Sequence, residues 1–143
     1  MPRSVTIVLI VDSGPLIAQL NRNDPDHDRC LDLLESYEGD LLITPYVLTE
    51  TCYLIQTYLG AEAEGNLVEA VAGGDLIQKN LDDDDMVRVV ELMRQYQGFP
   101  LGITDASVIA LAERIKASSV ATLDHRHFHA IKPAHTTALT LLP

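Results

Sequence analysis

The stretch Val5–Leu16, VTIVLIVDSGPL, decides how the rest of the chain is read. Val5 to Val11 is a run of strand length, apolar but for Thr6 and rich in valine and isoleucine, and it predicts a strand buried on both faces, as in a parallel sheet covered by helices. Asp12 ends the run. Ser13-Gly14-Pro15 then turns the chain into a helix, with Ser13 as N-cap and Pro15 accommodated in the first turn. Ligands of open parallel sheets sit beyond the carboxyl ends of the strands, so an acid delivered there is placed for chemistry. The competing reading is that Asp12 only caps the helix.

Outward from this strand, apolar periodicity predicts helices over Asp26–Tyr37, Tyr46–Leu59, Ala61–Ala72, Asp82–Gln97 and Thr104–Lys116. Gly39, Gly60, Gly73-Gly74 and Gly98-Phe99-Pro100 punctuate them. Between the helices lie short strands at Leu41–Ile43, Asp75–Gln78, Ser119–Leu123 and Ala138–Leu142. Strands alternating with helices imply a parallel α/β sheet covered on both faces. With 143 residues, 47% of them hydrophobic, the chain is read as one domain, 1–143. No run approaches the ~18 apolar residues of a membrane span. The first strand also lacks the small-residue cleavage pattern of a signal peptide, so no membrane association and a cytoplasmic location are expected. Cys30 and Cys52 fit neither a disulfide framework nor a CxxC motif, and both are expected to be buried thiols.

The net charge of −11, from 21 acidic and 10 basic residues, disfavours nucleic acid on its face. The distribution softens that. From Glu113 onward the acids are Glu113 and Asp124, whereas Arg114, Lys116, Arg126, Lys132 and four of the five histidines lie there. A bound divalent cation would cancel further negative charge.

The candidate functional residues are acids. Asp12 and Asp124 each follow a strand, Glu50 lies early in the helix after the second strand, and Asp105 follows Thr104 at a helix start. Singly, each has an ordinary explanation as a cap, a turn residue or a first-turn acid. In a doubly wound sheet, however, these positions can meet at one edge, and carboxylates crowded together must be protonated or neutralised. A hard cation such as Mg²⁺ or Mn²⁺ takes carboxylate oxygens while leaving room for phosphate oxygens and water. That chemistry suits phosphodiester hydrolysis.

Asp12 in VDSGPL, Glu50 in TPYVLTE, Asp105 in GITDASVIALAE and Asp124 in VATLDHRHF together resemble a PIN domain, specifically the VapC-type toxins of bacterial toxin–antitoxin pairs, from the first strand to Lys132-Pro133. The resemblance implies a three-layer α/β/α sandwich with a five-stranded parallel sheet in the order 3-2-1-4-5. It also implies Mg²⁺-dependent (or Mn²⁺-dependent) endoribonuclease activity, inhibition by a VapB-type antitoxin, and a homodimer. Asp12, Glu50, Asp105 and Asp124 would be the catalytic and metal-holding quartet, with Ser13 and Thr104 as nearby hydroxyls. Where many family members carry a further aspartate before the phenylalanine, this chain has His127. In the expected site, Asp12, Asp105 and Asp124 hold the ion, Glu50 completes the shell directly or through water, and Arg126 or a neighbouring histidine meets RNA phosphate. Two alternatives share the fold: a structure-specific DNA nuclease using the same acids, and a catalytically degenerate module that holds RNA or a partner.

Other motifs carry less. His125, His127 and His129 alternate, and on an extended segment would face one side, but no Cys or Glu nearby completes a zinc set. Asp82–Asp85 reads as an acid-rich helix N-terminus, without the spacing or glycine of a calcium loop. A phosphate-binding GxxxxGK[ST] and a dinucleotide-binding GxGxxG are both absent. A phospho-aspartyl hydrolase would need an acid where Gly14 stands. Tyr46, Tyr53 and Tyr58 are read as core and interface residues rather than stacking platforms.

Overall fold

The computed structural model describes residues 7–99 and 101–143. The first residues of the expected leading strand, Val5 and Thr6, and Pro100 of the expected helix break lie outside them. Within them the chain runs β1 (Val8–Val11), α1 (Ser13–Leu20), α2 (His27–Ser36), β2 (Asp40–Ile43), α3 (Pro45–Leu59) and α4 (Ala61–Ala72). It continues through β3 (Ile77–Gln78), α5 (Asp83–Gln95), α6 (Ile103–Ile115), β4 (Ser119–Ala121), α7 (His125–Ala130) and β5 (Thr140–Leu142).

The five strands form one sheet in the order β3-β2-β1-β4-β5, every pairing parallel. β1 is central, and Leu9, Ile10 and Val11 are each fully buried. Three consecutive residues alternate sides, so both faces of the strand are covered. The chain steps outward from β1 to β3, then returns across the sheet to β4. Right-handed crossovers in opposite directions put the connecting helices on opposite faces, the three-layer arrangement expected from the resemblance. Leu42, Ile43, Ile109, Leu111, Val120 and Phe128 extend the core into both layers.

Two local devices set the frame. Gly39 lies against β1: a Cβ there would come within 2.3 Å of the Ile7 carbonyl oxygen, while Asp40 N–H donates to that same oxygen at 2.9 Å. Only glycine lets β2 enter beside β1. On the other face, α5 is fastened to α6 by Arg88, whose Nε donates to Glu113 at 2.7 Å, and by Arg114, whose Nε donates to Asp85 at 2.8 Å. The acid-rich start of α5 is the helix N-terminus expected, closed by a reciprocal capping box between Asp82 and Asp85.

Several local expectations are corrected. Ser13 is the first helical residue and not the N-cap; Asp12 holds the N-cap position without a side-chain capping bond. α6 starts at Ile103 after Gly102, so Thr104 is inside the helix and caps nothing. The histidine segment is helical, because Asp124 caps it through the His127 N–H and Phe128 buries one face. His125 and His129 therefore share a side, ring centroids 6.0 Å apart, and His127 points elsewhere. Tyr53 and Tyr58 are 68% and 75% exposed and so are not core residues. Cys30 is buried, Cys52 only partly, and both are free. Among the described residues no helix is long and apolar enough to cross a membrane.

Candidate active site

The site is built where β1 and β4 end side by side. Val11 pairs with Ala121, and Asp12 N–H donates to the Ala121 carbonyl at 2.9 Å, so the residues after each strand share one edge. Thr122, fully buried, links them. Its Oγ1 donates to Asp12 Oδ2 at 3.0 Å and accepts the Asp124 N–H at 3.0 Å. A hydroxyl has one proton to give, which fixes both directions.

A second hydroxyl pair aligns the two helices. Ser107 Oγ donates to the Thr104 carbonyl at 2.7 Å, so its 2.9 Å bond with Thr44 uses the Thr44 proton, while Thr44 Oγ1 accepts from Val47 N–H to cap α3. The starts of α3 and α6 are thereby tied together, which sets Glu50 on one against Asp105 on the other. Glu50 is exposed and accepts from Ser13 Oγ at 2.7 Å.

The electrostatics follow from this packing. Asp12 is only 6% exposed. Burial, then the neighbouring Asp105 and Glu50, push its carboxyl up to about 7, against the opposing Ser13 N–H and Thr122 hydroxyl. Asp105 is raised by burial and by Asp124 and Glu50, with His127 opposing. Asp105 is thus coupled to all three other acids. For Asp124, burial pushes upward, but the His127 ring and N–H together with Arg126 outweigh it and hold the carboxyl below its ordinary range. His127 Nδ1 contacts Asp124 Oδ2 directly.

The four acids expected from the sequence are therefore brought to one edge and feel one another. Ser13 is among them through Glu50, and Arg126 through Asp124. Thr104 contributes its carbonyl to the Ser107 bond. Glu50 is turned onto Ser13 and Asp124 onto His127, and among the described residues no three His, Cys, Asp or Glu side chains form a ready metal-binding group. The donor set nevertheless suits a hard cation: it is all carboxylate and hydroxyl oxygen, and Asp12 Oδ1 is buried without a hydrogen-bond partner.

A family model described as PIN domain matches residues 9–132, which include all four acids. The chain belongs to the PIN domain family. Ribonuclease VapC26 of Mycobacterium tuberculosis is 31% identical over 135 residues, covering 94% of this chain and 100% of that protein, which sets this PIN domain among the VapC proteins. The crystal structure of VapC20 from the same organism, described as a sarcin-ricin loop cleaving toxin, superposes with a TM-score of 0.80 at 17% identity, covering 90% of this chain and 98% of that one. VapBC2 from Rickettsia felis, solved bound to a promoter DNA fragment, gives a TM-score of 0.68 at 16% identity over 94% of this chain and 97% of that one. At these identities the two structures speak for the PIN fold, sheet order included.

Sequence reasoning missed the residues that hold the acids of this PIN domain in place. Thr122 in VATLD reads as ordinary strand filler, and Thr44 and Ser107 as a cap and a helix residue. Only the pairing of β1 with β4 and of α3 with α6 reveals what they bridge.

Proposed function

We propose that this PIN domain is a divalent-metal-dependent endoribonuclease, the toxin of a VapBC-type pair acting on RNA in the cytoplasm. The observation that carries it is Asp12: a buried carboxyl with one oxygen unsatisfied, facing the fields of Asp105 and Glu50. An arrangement so unfavourable to its own charge is the mark of a site meant to be neutralised. The kinship with Ribonuclease VapC26 supports RNA as the substrate.

Asp12, Asp105 and Asp124 would hold Mg²⁺ or Mn²⁺, with Glu50 completing the shell directly or through water. The bound ion supplies Lewis-acid polarisation of a phosphate oxygen and acidification of water. The chain's own groups do the rest. Thr122 fixes the Asp12 carboxylate in orientation, Ser13 holds Glu50 toward the site, and His127 keeps Asp124 ionised. Arg126, exposed beside Asp124, is placed to take a neighbouring phosphate.

A VapB-type antitoxin belongs to the same reading, supported by the VapBC complexes among the fold's neighbours. A recess of about 400 Å³ in which Leu20, Leu34 and Leu67 are joined by the polar Gln19, Glu35 and Asp75 offers a mixed apolar and polar seat for a partner helix. An antitoxin arginine reaching the acids would neutralise them. A homodimer, checked by gel filtration, completes the expected assembly; Val87 and Val90, 59% and 43% exposed on α5, are apolar surface it would cover.

The test is cleavage of single-stranded RNA with Mg²⁺ or Mn²⁺, with a chelator, and by Asp12→Asn. Cleavage by the wild type that needs the metal and disappears in Asp12→Asn is expected. Undiminished cleavage by the folded variant would remove the proposal, and preferential cutting of DNA would reassign the substrate.

A further inference from the structure

Beside Asp124 a recess of about 510 Å³ opens between Phe99, Arg126 and His127. We propose that it is a subsite for one unpaired nucleotide of the RNA, the base stacked on Phe99 and the phosphate on Arg126. This rests on the nuclease reading above and adds to it the contact that grips the strand next to the reacting phosphate.

Phe99 is half-buried. It belongs neither to the hydrophobic core nor to the partly buried apolar side chains packed against it. Its ring instead meets His127 edge to face, centroids 4.5 Å apart at 63°. The turn that carries it is closed and anchored through Tyr96: Phe99 N–H donates to the Tyr96 carbonyl at 3.0 Å, and the Tyr96 hydroxyl accepts from Lys132 N–H at 3.0 Å, beyond the end of α7. An aromatic ring is thus held at the wall of an open recess, outside the core cluster. Such a ring is a stacking surface for any base.

The other walls choose the ligand. Arg126, exposed, offers a planar fork of donors to a phosphate, and its guanidinium can also stack. In a chain of net charge −11, a local cation beside an aromatic is what a polyanion can use. The recess falls in the range of about 300–1,000 Å³ that accepts a small ligand, and the Phe99 and His127 rings line it together with Arg126. A base still paired in a duplex has its faces covered by its neighbours, so the nucleotide bound here must be unstacked, as in a loop or single strand. Because Asp124 lines the recess and also belongs to the acid cluster, the occupant lies directly beside the phosphate to be cut.

The experiment is steady-state cleavage of a fluorophore–quencher single-stranded RNA in Mn²⁺ by wild type, Phe99→Ala, Phe99→Tyr and Arg126→Ala, with thermal melts to verify folding. Phe99→Ala should raise KM about tenfold while kcat changes less, and Phe99→Tyr, which keeps the ring, should stay within about twofold of wild type. Arg126→Ala should raise KM and flatten its salt dependence. A folded Phe99→Ala with wild-type KM, or a Phe99→Tyr as impaired as Phe99→Ala, would overturn the subsite and leave the nuclease reading standing. If the wild type cuts no RNA, fluorescence anisotropy with the same oligonucleotide decides. Binding lost in Phe99→Ala and kept in Phe99→Tyr would preserve the subsite in a non-cutting protein, and no binding by the wild type would overturn both.

Discussion

Asp12 is the residue on which sequence and structure agree most closely and for which the structure adds most. Its place after an apolar strand was legible; its burial and its unpaired oxygen were not, because both depend on Thr122 and Asp105, far along the chain. The consequence is a stability cost. Because the folded carboxyl titrates at about 7 and the unfolded one near 3.8, the folded state retains a proton that the unfolded chain has released between those values. Stability therefore falls as pH rises through that window, and the whole cost is present above it. In metal-free protein Asp12→Asn should be more stable than wild type at pH 8, by up to about 4 kcal/mol, with the difference vanishing near pH 4. Chemical denaturation in a chelator at the two pH values measures it; equal differences at both would show that Asp12 carries no such cost. His127 is the opposite case. Sequence alone marked it as a missing carboxylate and as one of three aligned histidines, whereas helix α7 turns it onto Asp124, where it keeps that acid ionised.

Among the elements, the helices and the short strands β2 to β5 were readable, while the conformation of the histidine segment and the exact helix caps were not. The helices α3, α4 and α5 and the buried strand β1 follow from hydrophobic pattern and glycine punctuation. The alternating histidines suggested an extended chain because His-X-His-X-His matches the period of a strand, but an Asp124 cap and the burial of Phe128 favour a helical turn. The caps of α1 and α6 were misplaced by a residue or two for a related reason: Ser13 and Thr104 have capping chemistry, and the site uses the Ser13 hydroxyl on Glu50 instead. Gly39 was read as a helix stop, yet its larger role is to let β2 lie against β1. Gly39→Ala should destabilise the protein by about 1–3 kcal/mol, since the backbone oxygen it meets at 2.3 Å cannot yield cheaply. A thermal melt unchanged from wild type would mean that β2 can shift without cost.

Across the whole molecule, the sheet order β3-β2-β1-β4-β5 is what turns scattered acids into one site. It sets β1 beside β4 at the point where the direction of winding reverses, the position at which open α/β sheets bind ligands. Family resemblance foretold that order; hydrophobic pattern alone gave only a parallel sheet. The chain's strong negative charge, which argued against RNA, is partly concentrated where a cation is expected to compensate it, while Arg126 stands at its border. The central claim is that Asp12, Glu50, Asp105 and Asp124 act together as one divalent-ion site. Calorimetric titration of Mn²⁺ into wild type and Asp105→Asn at pH 8 and pH 6 tests it most directly. The account predicts binding by the wild type, about tenfold weaker at pH 6 because Asp12 must first release its proton, and at least tenfold weaker again in Asp105→Asn. No binding by the wild type, or equal binding by the variant, would contradict it.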